Sequence, residues 1–182
     1  LSKVTLTSRK QYQIMAEAPT YPGEWEQNPE LDRRLEIRKG IEKRMSPELQ
    51  TALELARKAA NILRKYHKTS VDIDYKKDEF DPVSVADRES DELLRAGIAV
   101  AFPDDEILSE ESPLQPESYA GRVWMIDPLD DTKGYLRGEN TSGIMIGLLE
   151  AGKPKMGLVY LPFRNEYYYG EVGKGSFVSR LS

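Results

Sequence analysis

Apolar residues recur at three- and four-residue steps after Ser46, which predicts an amphipathic helix. Ser46 can cap this helix, Pro47 suits its first turn, and Glu48 favours the positive end of the helix dipole. The same spacing predicts a second helix from about Asp87 to just before Pro103. The apolar faces of the two helices are formed by Leu49, Ala52, Leu53, Ala56, Ala60 and Leu63, and by Leu93, Leu94, Ile98 and Ala101.

After Arg122 the pattern changes to short apolar runs separated by turn residues, which is typical of an antiparallel β-meander. The segment 71–81, between the two helices, predicts a hairpin or a mobile loop. Two helices followed by a run of strands predict an α+β fold, in which N-terminal helices pack on the meander, and not alternating βαβ units. The predicted strands lie at 123–126, 142–149, 156–161 and 166–172, and a further strand starts at Phe177.

Residues 1–45 lack a sustained period and are interrupted by Pro and Gly around Pro19–Gly23. We predict that they form an N-terminal arm, with a flexible extension as the alternative. Residues 46–182 are predicted to form the α+β domain.

Composition excludes several classes of protein. The 182 residues contain no Cys and one His, which excludes a disulfide framework, a thiolate metal site and a Cys nucleophile. The net charge of −5 argues against a nucleic-acid polymer as partner. No apolar run approaches the about 18 residues of a membrane span, and no signal-peptide pattern is visible. The lack of Cys suits the cytoplasm.

The segment Asp127-Pro128-Leu129-Asp130 is the strongest candidate for chemistry. An apolar strand delivers two carboxylates, three residues apart, into a tight turn. Carboxylates and backbone carbonyls are the hard oxygen ligands that Mg²⁺ prefers. An acidic surface turn, with Asp127 as a helix cap, is the alternative interpretation.

Two further acidic segments precede it. Glu110 and Glu111 follow the second helix, and Asp87 ends the segment Pro82-Val83-Ser84-Val85-Ala86-Asp87. Each has an ordinary alternative, because Glu pairs are common on solvated surfaces and an Asp at a helix start is often a plain N-cap.

Together the three segments resemble the inositol monophosphatase superfamily of Mg²⁺-dependent, Li⁺-sensitive phosphomonoesterases. That family has an Asp ending a Pro-Val-Thr-x-x-Asp segment, then a Glu-Glu pair, then a Trp-x-Ile-Asp-Pro-x-Asp-Gly-Thr turn. The resemblance covers the chain from about residue 46 to its end. Within the superfamily, Thr132-Lys133-Gly134-Tyr135-Leu136-Arg137-Gly138 is most similar to the 3′(2′),5′-bisphosphate nucleotidases.

The resemblance implies a metal site and the residues that form it. Glu110, Asp127 and Asp130 would bind metal, assisted by the Leu129 carbonyl, and Glu111 would support them from outside. About two or three Mg²⁺ ions would act together on the phosphate.

The resemblance also implies how the reaction proceeds. Asp87 and Thr132 would position and deprotonate an attacking water, and Asp131 and Thr132 would contact the substrate phosphate. The implied reaction is the hydrolysis of adenosine 3′,5′-bisphosphate to AMP and phosphate, in line and without a covalent intermediate. The implied partner is a small phosphorylated substrate.

Two departures from the family leave alternatives open. Asp131 stands where the family has Gly, and its side chain either repels the phosphate, points away or recruits another metal. The family's C-terminal half, with a further metal ligand and much of the substrate pocket, is expected to be missing. An inositol or other sugar monophosphatase, and a metal-binding homologue without turnover, therefore stay as alternatives, and so does a homodimer formed through an apolar sheet face.

Overall fold

All helices and strands of the described residues lie in the unit Ser46–Ser182. The predicted arm, residues 1–45, lies outside the described residues apart from Met45, so the division into arm and domain stays a prediction. The computed structural model describes residues 45–69, 73–75, 82–112, 116 and 118–180.

Helix α1 spans Pro47–Tyr66 and starts where the sequence predicts. The Ser46 hydroxyl accepts a hydrogen bond from the backbone N–H of Leu49 at 3.2 Å, which satisfies one of the free donors at the helix start. The helix ends at His67, whose backbone N–H donates to the Leu63 carbonyl. The apolar stripe is buried, and its members are Leu49, Ala52, Leu53, Leu55, Ala56, Ala59, Ala60 and Leu63.

A short antiparallel pair leads into the second helix. Strand β1 (Ile73–Tyr75) pairs with strand β2 (Pro82–Ser84), as the hairpin prediction requires. Helix α2 (Val85–Ala101) follows β2 directly and begins two residues earlier than predicted. The reason is that Ser84, and not Asp87, is its N-cap.

The main sheet has six strands in the order β3–β4–β5–β6–β7–β8. Strands from β4 onward form the predicted antiparallel meander, and the short helix α3 (Thr132–Leu136) lies between β4 and β5. The strand β3 differs from the prediction, because it pairs parallel to β4. The strand bounds are β3 Glu106–Ser109, β4 Arg122–Asp130, β5 Gly143–Glu150, β6 Lys153–Leu161, β7 Glu166–Glu171 and β8 Gly175–Arg180.

Helices α1 and α2 pack on one face of the sheet, and the core lies between these helices and the sheet. Its largest fully buried side chains are Trp124, Tyr160 and Tyr167, and aromatic residues of this kind each bury about 150–250 Å². Within the described residues no helix covers the opposite face, where Met125 and Tyr168 are exposed. None of the described helices is both long and apolar enough to cross a membrane.

Arg122 fixes the start of β4 against the helices. Its guanidinium donates to Asp105 at 2.9 Å, to Glu48 at 3.1 Å and to Glu150 at 3.1 Å. The indole N–H of Trp124 donates to the same Asp105 carboxylate at 2.8 Å. The Arg122 guanidinium therefore connects the beginning of α1 and the turn after α2 to the strand that leads into the site.

Replacing Gly97 by Ala is expected to destabilise the fold by about 1–3 kcal/mol through overpacking. Gly97 lies in α2, and a Cβ at this position would come within 2.3 Å of Cδ2 of Leu55 on α1. We expect the free-energy cost of this overlap to exceed the roughly 1 kcal/mol by which Ala stabilises a helix interior relative to Gly. Urea unfolding measures the difference.

The Leu55→Ala background is the decisive control, because it removes the atoms that the new methyl group would meet. A cost of Gly97→Ala that persists there would contradict the packing argument. Gly157→Ala, where a Cβ has no heavy atom within 4 Å, should be tolerated.

Candidate active site

Asp87 lies in the first turn of α2 and is completely buried. Its Oδ2 accepts hydrogen bonds from the backbone N–H of Ser84 at 2.8 Å and from the Ser84 hydroxyl. The two residues form a capping box, so Asp87 stabilises the helix start without being the cap itself. Burial raises the pKa of the Asp87 carboxyl, because an ionised group loses its hydration there.

Thr132 connects α2 to the end of β4. Its hydroxyl oxygen lies 3.1 Å from Oδ1 of Asp87 and 3.1 Å from the carbonyl oxygen of Leu129. The hydroxyl has one hydrogen to donate, so either oxygen can accept it while the Thr132 lone pairs stay available to another donor. The two residues to which the resemblance assigns water activation are therefore direct partners.

Asp127 lies where the pairing of β4 with β5 becomes irregular. The register shifts between Asp127 and Asp130, because Pro128 has no N–H to continue the ladder. The backbone N–H of Leu129 donates to Oδ1 of Asp127 at 3.1 Å, which fixes the carboxylate at the turn. The Leu129 side chain is buried, and its carbonyl faces the Thr132 hydroxyl.

Glu110 is brought beside Asp127 by the parallel pairing of β3 with β4. Its backbone N–H donates to the carbonyl of Ile126, the residue before Asp127, at 3.0 Å. Burial raises the pKa of the Asp127 carboxyl, and direct interaction with Glu110 and the nearby charge of Asp130 raise it further. Glu111 is half-buried in the turn that follows β3.

Asp131 adopts a left-handed backbone conformation, with φ 63° and ψ 52°, and is the N-cap of α3. Its Oδ1 accepts a hydrogen bond from the backbone N–H of Gly134 at 3.0 Å, and its Oδ2 accepts one from the Thr141 hydroxyl at 3.1 Å. A Cβ at Gly134 would lie 2.0 Å from Oδ2 of Asp131, so this capping position of Asp131 requires the glycine. The Asp131 side chain is thus engaged with its own helix.

The donor set fits Mg²⁺ by its chemistry. Glu110, Asp127 and Asp130 supply carboxylates and Leu129 a carbonyl, and mutual repulsion among the carboxylates is what a cation would relieve. Mg²⁺ usually takes only one or two protein carboxylates and completes its shell with water and substrate phosphate. In the described part of the chain, no group of three or more carboxylate or imidazole side chains is arranged to hold a metal ion.

An open groove of about 980 Å³ runs from this acidic pair across the outer face of the sheet. Glu110 and Asp127 line one part of it, and apolar and aromatic side chains, among them Met125, Met145 and Tyr168, line the remainder. The two carboxylates are therefore reachable from solvent.

Three residues of the site region were not predicted from the sequence to have a role there. Ser84 forms the capping box with Asp87, and Asp91 accepts a hydrogen bond from the hydroxyl of Ser109. The spacing Ser-x-x-Asp at positions 84 to 87 is a capping-box signal that could have indicated the first. The four-residue step from Asp87 to Asp91 indicates a shared helix face, but no sequence signal links Asp91 to Ser109.

Known proteins are similar to this chain in sequence and in fold. A histidinol-phosphatase of Chlorobaculum parvum is 40% identical over 136 residues, which are 74% of this chain and 52% of that protein. The 3'(2'),5'-bisphosphate nucleotidase CysQ of Salmonella typhimurium is 32% identical over 129 residues, which are 69% of this chain and 52% of that protein. The solved IMPase of Thermotoga maritima is 30% identical with a TM-score of 0.69, over 75% of this chain and 53% of that one.

A profile of the inositol monophosphatase family matches residues 44–181. The chain belongs to this family, whose members are metal-dependent phosphatases. It spans about half the length of the curated relatives that it matches.

The capping role of Asp131 predicts different effects for two substitutions. Asp131→Ala should lower the free energy of unfolding by about 1–3 kcal/mol, because it loses the cap and keeps a left-handed residue with a Cβ. Asp131→Gly should stay within about 1 kcal/mol of the parent, because Gly adopts positive φ freely and is a fair N-cap. Urea unfolding of the two variants measures this, and equal losses would contradict the assignment.

Proposed function

We propose that the protein is a Mg²⁺-dependent phosphomonoesterase that hydrolyses small phosphorylated substrates by direct attack of water. The supporting observation is the hydrogen bond between the Thr132 hydroxyl and the Asp87 carboxylate. Thr132 follows Asp127 and Asp130 closely in the chain. A proton acceptor and a set of hard oxygen donors meet there at the end of one strand, which is the arrangement that metal-assisted ester hydrolysis needs.

In this proposal Asp87 is the proton acceptor. The Thr132 hydroxyl donates its hydrogen to Oδ1 of Asp87 and accepts a hydrogen bond from the attacking water. As the water oxygen bonds to phosphorus, its proton passes to the threonine oxygen and the threonine proton passes to Asp87. At the same time the ester P–O bond breaks, and the departing alcohol oxygen takes up a proton from solvent water. The raised pKa of Asp87 favours this transfer, since a base with a pKa closer to neutral is more easily protonated.

Glu110, Asp127 and Asp130 would hold the metal, together with the Leu129 carbonyl, and Glu111 would support them. Bound Mg²⁺ supplies positive charge that acidifies water and offsets the charge of the phosphate. About two or three ions are proposed, and sensitivity to Li⁺ belongs to the same proposal. Asp131 and Thr132 would lie at the substrate phosphate, with the Asp131 carboxylate drawn aside by its bonds to Gly134 and Thr141.

The proposed substrate class is the 3′(2′),5′-bisphosphate nucleotides, with adenosine 3′,5′-bisphosphate as the member to test. The support is the stretch Thr132–Gly138 and the likeness to the nucleotidase CysQ. Histidinol phosphate is a second candidate, favoured by the 40% identity to a histidinol-phosphatase. Inositol or other sugar monophosphates stay as an alternative, as does a metal-binding homologue without turnover.

Asp127→Asn should weaken Mg²⁺ binding and Mg²⁺-dependent phosphate release by about 100-fold or more, because it removes a ligand charge while keeping the shape. Isothermal titration calorimetry and a phosphate-release assay measure the two effects. Asp104→Asn makes the same chemical change at an exposed turn position and is the matched control. Unchanged Mg²⁺ binding in the Asp127 variant would contradict the assigned metal site.

A substrate panel tests the class. Adenosine 3′,5′-bisphosphate, histidinol phosphate and inositol 1-phosphate are each assayed with Mg²⁺ and with a chelator. We expect Mg²⁺-dependent release, with the highest kcat/KM for the nucleotide. A preference for histidinol phosphate would replace the proposed substrate, and Mg²⁺ binding without release from any of the three would favour the homologue without turnover.

A further inference from the structure

Helix α2 carries a second buried carboxylate, one turn beyond Asp87. Asp91 is 2% exposed, and residues four apart share a helix face, so Asp91 lies on the same side of α2 as Asp87. None of the three acidic segments includes Asp91, and the proposed reaction gives it no role. A carboxylate buried to this degree is costly unless its oxygens are satisfied, so its partners indicate what it does.

Asp91 holds the last residue of β3. The Ser109 hydroxyl donates to Oδ1 of Asp91, and Nε of Arg95 donates to Oδ2 at 2.7 Å. Ser109 is itself 2% exposed, so the contact between the two side chains is shielded from water. Hydrogen bonds to an ionised group are short and strong, and their geometry is specific. The end of β3 is therefore attached to α2 by its side chain as well as to β4 by its backbone.

Glu110 follows Ser109 directly, in a turn that the backbone also fixes. Its N–H donates to the Ile126 carbonyl at 3.0 Å, and the N–H of Ser112 donates to the Ser109 carbonyl at 3.2 Å. Ile126 precedes Asp127, so the same stretch of β4 sets both carboxylates. The bond from Ser109 to Asp91 adds the attachment that relates this turn to the helix.

We propose that Asp91 is a positioning residue for Glu110, acting through Ser109 so that the Glu110 carboxylate faces Asp127. The inference rests on the proposed function, because the position of Glu110 matters to a cation that both carboxylates bind. Helix α2 then serves both parts of the site: Asp87 fixes Thr132, and Asp91 fixes the turn that carries Glu110.

Titration of the 182-residue chain with Mn²⁺, followed by calorimetry, tests the inference, because Mn²⁺ takes the same oxygen ligands as Mg²⁺. Asp91→Asn and Ser109→Ala should each weaken Mn²⁺ binding by about tenfold, the effect typical of groups that orient metal ligands. Since both act through one contact, the double variant should bind no more weakly than the weaker single variant. Glu92→Gln removes the same charge from the next, exposed residue of α2 and should bind like the parent.

A purely structural role would give a different result. Thermal unfolding of each variant is measured in parallel, and affinity is compared at a temperature where all variants are folded. Lower midpoints with unchanged Mn²⁺ affinity would overturn the inference, and so would additive losses in the double variant. If Asp91→Asn does not fold, Ser109→Ala decides alone. Absence of Mn²⁺ binding by the parent would instead overturn the proposed function, and the inference with it.

Discussion

The hydrogen bond between the Thr132 hydroxyl and the Asp87 carboxylate joins the helix layer to the sheet layer at the site. Asp87 belongs to the first turn of α2 and Thr132 is the first residue of α3, so the contact fixes two helix starts relative to each other. Within β4, Pro128 cannot donate to the ladder, and the register shifts between Asp127 and Asp130. The direction of the Asp127 and Asp130 carboxylates follows from this irregularity, which comes just before the start of α3.

Buried polar groups carry this arrangement, and their partners decide whether they stabilise it. Asp87 and Asp91 are both buried, and burying either carboxylate without hydrogen-bond partners would cost roughly several kcal/mol. Ser84 and Thr132 satisfy the first carboxylate, and Ser109 and Arg95 satisfy the second. Apolar contacts between α2 and the sheet permit small shifts of the helix, whereas these bonds accept one geometry. They therefore specify the register of the helix on the sheet more than they add to its stability.

Periodicity predicted the elements whose apolar residues repeat over several turns or pleats. The start of α1 at Ser46 and the strands from β4 onward follow from local pattern and turn chemistry, and with them the α+β class. The strand β3 could not be predicted in this way, because four residues at a sheet edge show too little alternation of apolar and polar side chains. Its parallel partner, β4, also lies more than ten residues further along the chain. The acidic residues of the site could be identified by type, but the link from Asp91 to Ser109 exists only after α2 and β3 have packed. The direction of the Asp131 side chain also depended on a backbone angle that the sequence leaves open.

The residues of the site differ in their exposure to solvent according to their proposed role. The carboxylates proposed to bind metal lie toward solvent, with Glu110 exposed and Asp127 and Asp130 half-buried. Among the groups that hold their backbone, Asp87, Asp91 and Ser109 are buried and Thr132 is half-buried. A cation that arrives from water needs donors that can exchange hydration for coordination, and those donors must be partly solvated. Their spacing must nevertheless be fixed before the ion binds, or the ion has to order them at a cost in affinity. Attaching accessible carboxylates to a largely buried set of hydrogen bonds meets both requirements. The repulsion that Glu110 and Asp130 exert on Asp127 in the absence of an ion then favours binding of the ion.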